Sequence, residues 1–457
     1  MIATAAIPKD VRRRVARGLS ATALAPLVTA AIQLGTVPLL LHAWGPGKYG
    51  DWLILSAIPN YLTLSDLGFG DASGSDMTAR VATGDRSGAL RTFQSSWLLL
   101  NVVALFALTL VCAFAWLAPW QHWLGLSSLT RRESAATLSI LGAYVVVTQQ
   151  CGILESGFRC DGNFALGTFW HTVLRLGDAV LGCVVGVMTG QFFLVALTYL
   201  AARIVGTTWY GLLLRKKSPW LLLGIRHARA GTIKELAKPA AGFMALPVGY
   251  ALSFQGFTIL IGAVLGAVAV ATFSTLRTLT RVNSQLLVML AHALWPELSW
   301  AFGAGDISLA RKLHRSIYKA SLGLSLVSCS LLWMIGPLIY HLWIHDALRF
   351  NYTCFHVLIV VSIANALWYT SAVVSMSANA HYRLAISYLL GTAVSLAVGW
   401  TLISRWGITG AALSLLPIDL LMSFIVLRAS LHQVRDTPTG FFASLFTIPP
   451  TLRASRT

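Results

Sequence analysis

Two arginines one helical turn apart, Arg277 and Arg281, lie inside a mostly apolar stretch, FSTLRTLTRVNSQLLVMLAHALWPELS at 273–299, that is long enough to cross a bilayer. At about 100° per residue, Arg281, Ser274, Thr280, Ser284, Gln285 and His292 fall on the same side of a helix as Arg277. A cation at the centre of a membrane helix costs about 2.5–3.5 kcal/mol on insertion scales, so a pair facing lipid would strain the span. The pair must meet water, protein groups or an anion. A guanidinium offers a planar fork of donors matched to carboxylate and phosphate oxygens. Two uses follow: capture of an anion, or bonds to helix carbonyls or a carboxylate that hold the helices together.

A second charged group lies earlier in the chain. Arg175 and Asp178 are three residues apart, hence on one face of a helix, and Arg203 falls at a similar depth in the next span. They can form a salt-bridge network locking two neighbouring helices, or leave one arginine over as a further anion ligand. Asp178 and Asp419, the latter beside Pro417, are the carboxylates expected at mid-membrane, where an ionisable group can couple transport to an ion, a proton or sodium.

The elements that position these residues are set by composition. Hydrophobic residues make up 56% of the chain and charged residues 11%, against roughly a quarter charged in ordinary globular proteins. The chain therefore reads as all-α and polytopic, with twelve spans at 19–42, 49–68, 93–117, 136–156, 165–189, 192–214, 239–263, 268–296, 318–342, 352–375, 384–404 and 407–428. Barrel-type alternation does not dominate anywhere. The net charge of +18 is distributed by topology: with the amino terminus inside, inner segments hold 25 Lys and Arg and outer segments five. That asymmetry places both termini in the cytoplasm of a plasma membrane. It points to anionic lipid rather than nucleic acid as the partner of the basic excess, since no aromatic-basic module appears.

The start, KDVRRRVARG before an apolar run, imitates a secretory signal but lacks a small-x-small cleavage site, so an uncleaved first helix is expected. The six cysteines show no CxxC spacing and read as small buried hydrophobes. No HExxH or glycine-rich nucleotide loop is present, and no cofactor or metal is expected.

ATGDRSGALR at 82–91 and GAGDISLARK at 303–312 share Gly-Asp-x-Ser-x-Ala at an offset of 221, and the same offset carries Gly45 onto Gly266. This predicts two parallel six-helix lobes around a central cavity, 1–214 and 239–428, joined by a basic cytoplasmic linker at 215–238 and followed by a tail at 429–457. Such halves rock against each other around a mid-membrane site.

GPGKYGDWLILSAIPNYLTLSDLGFGDAS at 45–73 resembles the first-hairpin pattern of the bacterial polysaccharide repeat-unit flippases. LRTLTRVNSQLLVMLAHALWPELS at 276–299 is similar to the eighth helix of that family, and GITGAALS at 407–414 to its last helix. The resemblance covers nearly the whole chain through structural motifs rather than catalytic ones. It implies membership of the superfamily of multidrug, oligosaccharidyl-lipid and polysaccharide exporters. The implied cargo is an oligosaccharide on undecaprenyl pyrophosphate, carried for O-antigen, capsule or exopolysaccharide synthesis, with polysaccharide polymerase machinery as a further partner. Twelve spans depart from the fourteen of the related peptidoglycan-precursor flippase. On this reading Arg277, Arg281, Ser284, Gln285, His292, Arg175 and Arg203 are the expected substrate contacts, the arginines taking the diphosphate or an acidic sugar. An ion-coupled drug or metabolite exporter of the same superfamily is the competing class. A glycosyltransferase or polymerase is not expected, because the outer loops are short apart from 117–135 and no acid-base pair stands out.

Overall fold

The structure, a computed structural model, describes residues 24–117, 123–126, 128–378 and 382–446, and within these every side chain except those at 238, 239, 241–243, 245, 292, 293 and 296. The amino-terminal basic cluster, the start of the first span, the loop around Trp120, the side chains of Pro239 and His292 and the end of the tail lie outside the described residues.

Long apolar segments become helices because a chain in hydrocarbon must satisfy every backbone donor and acceptor internally. In chain order they are α1 (Leu24–Asn60), α2 (Phe69–Ala82), α3 (Arg86–Leu117), α4 (Arg131–Cys160), α5 (Phe164–Thr189), α6 (Phe192–Lys217), α7 (Ala230–Ala251), α8 (Phe257–Leu265), α9 (Ala267–Gly303), α10 (Ile307–Ile344), α11 (Tyr352–Ser377), α12 (Tyr382–Gln433) and α13 (Pro438–Phe446). Among the described residues, nine segments are long and apolar enough to cross a membrane. Two of these hold a double pass, since α1 is broken at Gly45 and α12 at Gly407 by non-helical backbone. α9, 37 residues long and carrying the arginine pair, adds one more. The protein is thus an all-α multi-pass membrane protein with about twelve crossings. Its outer surface carries exposed Leu, Val, Phe and Trp, such as Val102, Phe106, Leu338 and Phe424, which suits a lipid solvent.

The glycines matched by the sequence offset occupy matching conformations. Gly45 (φ 75°, ψ 167°) and Gly266 (φ 82°, ψ 178°) each turn the chain between two helices, in a region where a side chain would be strained. The inner hairpins match too. Asp85 Oδ1 accepts from Gly88 N at 2.8 Å and Ser87 Oγ at 2.9 Å, while Asp306 Oδ1 accepts from Leu309 N at 2.9 Å and Ser308 Oγ at 3.0 Å. Both carboxyls are held below the usual range, chiefly by those backbone donors. A carboxyl whose folded pKa is depressed stabilises the fold above its unfolded value of about 3.9, and that contribution is lost as the pH falls through the folded value. Asp306→Ala should therefore lower the melting midpoint at neutral pH, and the gap from the native protein should close once the pH is taken below the folded pKa of Asp306.

Helices from the two ends of the chain meet closely. Trp343 Nε1 donates to Leu34 O at 2.7 Å, and Gln285 Nε2 to Gln33 Oε1 at 3.1 Å. Gly50 lies against the first residue of α9, where an added Cβ would stand 1.9 Å from the Ala267 carbonyl oxygen and 2.4 Å from its carbon. Backbone cannot yield as a side-chain tip can, so Gly50→Ala should cost about 1–3 kcal/mol, read as a lower melting midpoint in detergent.

Helix ends narrow the connector between α6 and α7 to 218–229. It is strapped to the amino-terminal half: Gln94 Nε2 donates to Leu222 O at 2.9 Å, His227 N to Gln94 Oε1 at 2.7 Å, Arg229 N to Ser95 Oγ at 2.9 Å, and Trp220 Nε1 to Asp161 Oδ1 at 3.1 Å. All six cysteines are free thiols.

Candidate functional site

The polar face of α9 opens onto a cavity of about 390 Å³. Arg277, Thr280, Arg281, Ser284 and Gln285 all line it, as the helical period predicts. Asn283, turned away from that face, binds Ser325 and Ser362 at 3.0 and 2.8 Å and accepts from Ser328 at 2.8 Å, tying α9 to α10 and α11. The rotational setting of the arginine face is fixed from behind by this buried amide.

The opposite wall comes from a local defect in helix geometry. Between α7 and α8, Leu252–Gly256 winds as a π turn. Such a widened turn disturbs the regular i→i−4 ladder and is frequent at functional sites. Here Arg277 Nη1 donates to Ser253 O at 3.1 Å and Nη2 to Ser253 Oγ at 3.3 Å. The Arg277 guanidinium lies 3.9 Å from the Phe254 ring centroid and that of Arg281 lies 4.4 Å from the same centroid. Two cations thus share one aromatic ring, which holds them by its quadrupole without neutralising them. Among the described residues no carboxylate oxygen lies within 4 Å of either guanidinium.

Asp419 lines the same cavity, with Oδ1 accepting from Trp368 Nε1 at 2.7 Å and Asn365 Nδ2 at 3.1 Å. Tyr250, Tyr369 and Tyr388 complete the wall. The side chain of His292 is outside the described residues.

Arg175, Asp178 and Arg203 belong to the other half. Arg203, 1% exposed, pairs with Asp178 and also reaches Tyr144 Oη at 3.4 Å. Its charge is therefore matched inside the helix bundle, and it lines neither cavity. Arg175 is left outside this pair. Its Nη2 donates to Thr29 Oγ1 at 3.0 Å, and it faces a second cavity of about 310 Å³ with Asp178, Tyr144, Ser56, Asn60, Trp52 and Tyr199.

The two cavities obey the offset of 221. Ile32 and Ser253, Ser56 and Arg277, Asn60 and Arg281, Leu141 and Ser362, and Tyr144 and Asn365 are pairs of lining residues, one in each cavity. Sequence reasoning did not single out Ser56, Asn60, Ser253, Phe254 or Asn365. Subtracting the offset from the arginine pair finds the first two, whereas nothing in an apolar run announces a π turn.

Comparison with known proteins now has a geometry to attach to. Residues 15–302, more than half of the chain, match the family model described as polysaccharide biosynthesis protein. The chain belongs to the polysaccharide biosynthesis protein family. Among curated proteins no sequence matches this family member significantly. Its fold is shared by solved transporters. An inward-facing multidrug-resistance MATE family transporter of the MOP superfamily aligns with TM-score 0.75 at 13% identity, over 90% of this chain and 98% of that one. The bent form of the Vibrio cholerae MATE transporter VcmN gives 0.63 at 14%, over 93% and 97%. A Pyrococcus furiosus MOP superfamily transporter, described as having a binding pocket of reversed polarity, gives 0.62 at 11%, over 94% and 97%. At these identities the likeness is one of fold, and it places this polysaccharide biosynthesis family member on the MOP transporter architecture.

Proposed function

We propose that the protein is a flippase that moves an undecaprenyl-pyrophosphate-linked oligosaccharide from the cytoplasmic to the periplasmic leaflet of the bacterial inner membrane, for cell-surface polysaccharide synthesis. The observation that carries this reading is the arginine pair: two guanidinium groups facing one cavity over Phe254, with no carboxylate within 4 Å among the described residues. A diphosphate supplies the charge and the acceptors that such donors lack. On this reading residues 1–214 and 239–428 are two lobes that rock about the cavities, both termini are cytoplasmic, and the polyprenyl tail stays in lipid while the head group crosses. The match of cavity-lining positions at one offset supports the two-lobe division. Coupling to a proton or sodium falls to Asp419, the carboxylate that shares the arginine cavity.

A second reading, export of a small cationic compound, draws on that same Asp419 and on the aromatic wall of Tyr250, Phe254, Tyr369 and Tyr388. Proteoliposomes separate the two. Movement of a fluorescent undecaprenyl-pyrophosphate oligosaccharide between leaflets is expected; efflux of a cationic dye with no movement of the lipid would overturn the flippase reading in favour of the exporter.

A further inference from the structure

The two cavities stand at matching positions in the two halves of the chain, yet their chemistry differs at the matched places. Where the carboxy-terminal cavity has Arg277 and Arg281, the amino-terminal one has Ser56 and Asn60. Asp178, which lines it, is paired with the buried Arg203, and Arg175 is the one cation facing it, with no carboxylate within 4 Å among the described residues. The Gln33–Gln285 hydrogen bond, 3.1 Å long, links a residue of the second cavity's own helix turn to one lining the first. α1, whose Ile32 lines the second cavity, therefore touches the wall of the first.

We infer that the amino-terminal cavity is a carbohydrate subsite, which receives the sugar residues of the cargo while the arginine pair receives the diphosphate. This rests on the flippase reading and adds a division of labour between the halves. Three residues that line the cavity carry neutral polar groups with no protein hydrogen bond among the described residues: Asn60 its amide, Tyr199 its hydroxyl and Trp52, 7% exposed, its indole N–H. An amide offers both donors and acceptors, a phenol hydroxyl one donor and acceptor capacity, and an indole one donor. That set matches vicinal hydroxyls, which each give and take a hydrogen bond, and being uncharged it offers a diphosphate none of the charge compensation that the guanidinium pair supplies. Arg175, held by Thr29, accommodates one acidic substituent on a sugar. A cavity of about 310 Å³ is within the size range of small-ligand sites.

The test compares two fluorescent lipids in proteoliposomes: undecaprenyl pyrophosphate bearing a single N-acetylhexosamine, and the same lipid bearing a tetrasaccharide. Asn60→Leu keeps the side-chain size and removes the amide, and Tyr199→Phe removes one hydroxyl with little change in shape. Each should lower the ratio of tetrasaccharide to single-sugar transport, Asn60→Leu by at least about 10-fold, because a site built to hydrogen-bond hydroxyls discriminates strongly once its partners are lost. Arg277→Gln/Arg281→Gln should slow both lipids together. Two results overturn the inference in distinguishable ways. If the native protein moves neither lipid, the flippase reading fails and the subsite with it. If it moves both, and folded Asn60→Leu and Tyr199→Phe leave the ratio unchanged, the subsite alone is wrong. Should Asn60→Leu not fold, the Tyr199→Phe ratio decides.

Discussion

Arg277→Gln/Arg281→Gln is expected to slow leaflet exchange of an undecaprenyl-pyrophosphate oligosaccharide by at least about 100-fold while leaving the protein inserted and folded. A hydrogen bond to a charged group contributes about 1.5–3 kcal/mol, so two lost guanidinium contacts amount to roughly 3–6 kcal/mol, or about two to four decades in affinity. Folding should tolerate the change because neither guanidinium neutralises a carboxylate within 4 Å among the described residues. What is lost is the contact of Arg277 with Ser253 and the stacking of both cations on Phe254. If the pair instead served only to fasten α9 to the π turn, the double variant would melt early and its transport would fall with its folded fraction. Arg277→Lys/Arg281→Lys separates charge from geometry. An ammonium keeps the charge but not the planar fork, so partial recovery of transport is expected.

Asp178→Asn carries the second large effect, and it falls on stability. Arg203 and Asp178 are buried together, 1% and 4% exposed. Removing the carboxylate strands a guanidinium held otherwise by Tyr144 Oη and Cys151 Sγ, and breaking a buried pair this way costs about 3–5 kcal/mol. The melting midpoint should drop by several degrees. Replacing both partners, Asp178→Leu/Arg203→Met, should recover most of that loss, since it leaves no buried charge unmatched. The contrast with Asp419 is sharp. Asp419 is held by neutral donors, Trp368 and Asn365, and faces the arginine cavity. In a pH-jump transport assay Asp419→Asn should abolish the response, whereas Asp178→Leu/Arg203→Met should retain it.

What the amino-acid sequence made legible was periodic or repeated. The helical period brought seven polar residues of α9 to one face, and the structure puts five of them on a cavity, Ser274 not among its lining. The offset of 221, read from two short matches, extends to conformations at Gly45 and Gly266 and to capping at Asp85 and Asp306. Features that depend on distant partners were hidden. The choice of Arg203 rather than Arg175 as partner of Asp178 follows from how α5 and α6 are rotated against each other, and a three-residue spacing within α5 cannot reveal it. Ser253 and Phe254 sit in a mostly apolar run, so their role emerges only where the helix widens. Gly50 lies within the 45–73 stretch without drawing notice there, yet its missing side chain is what admits the backbone of Ala267.

The central claim is that the arginine cavity recognises a diphosphate, and affinity measures it most directly. The dissociation constant of the native protein in detergent should be determined for an oligosaccharide on undecaprenyl pyrophosphate and for the same oligosaccharide linked to undecaprenol without phosphate. The account predicts binding at least about 100-fold weaker without the diphosphate, equivalent to roughly 2.7 kcal/mol; equal affinity for the two would contradict it.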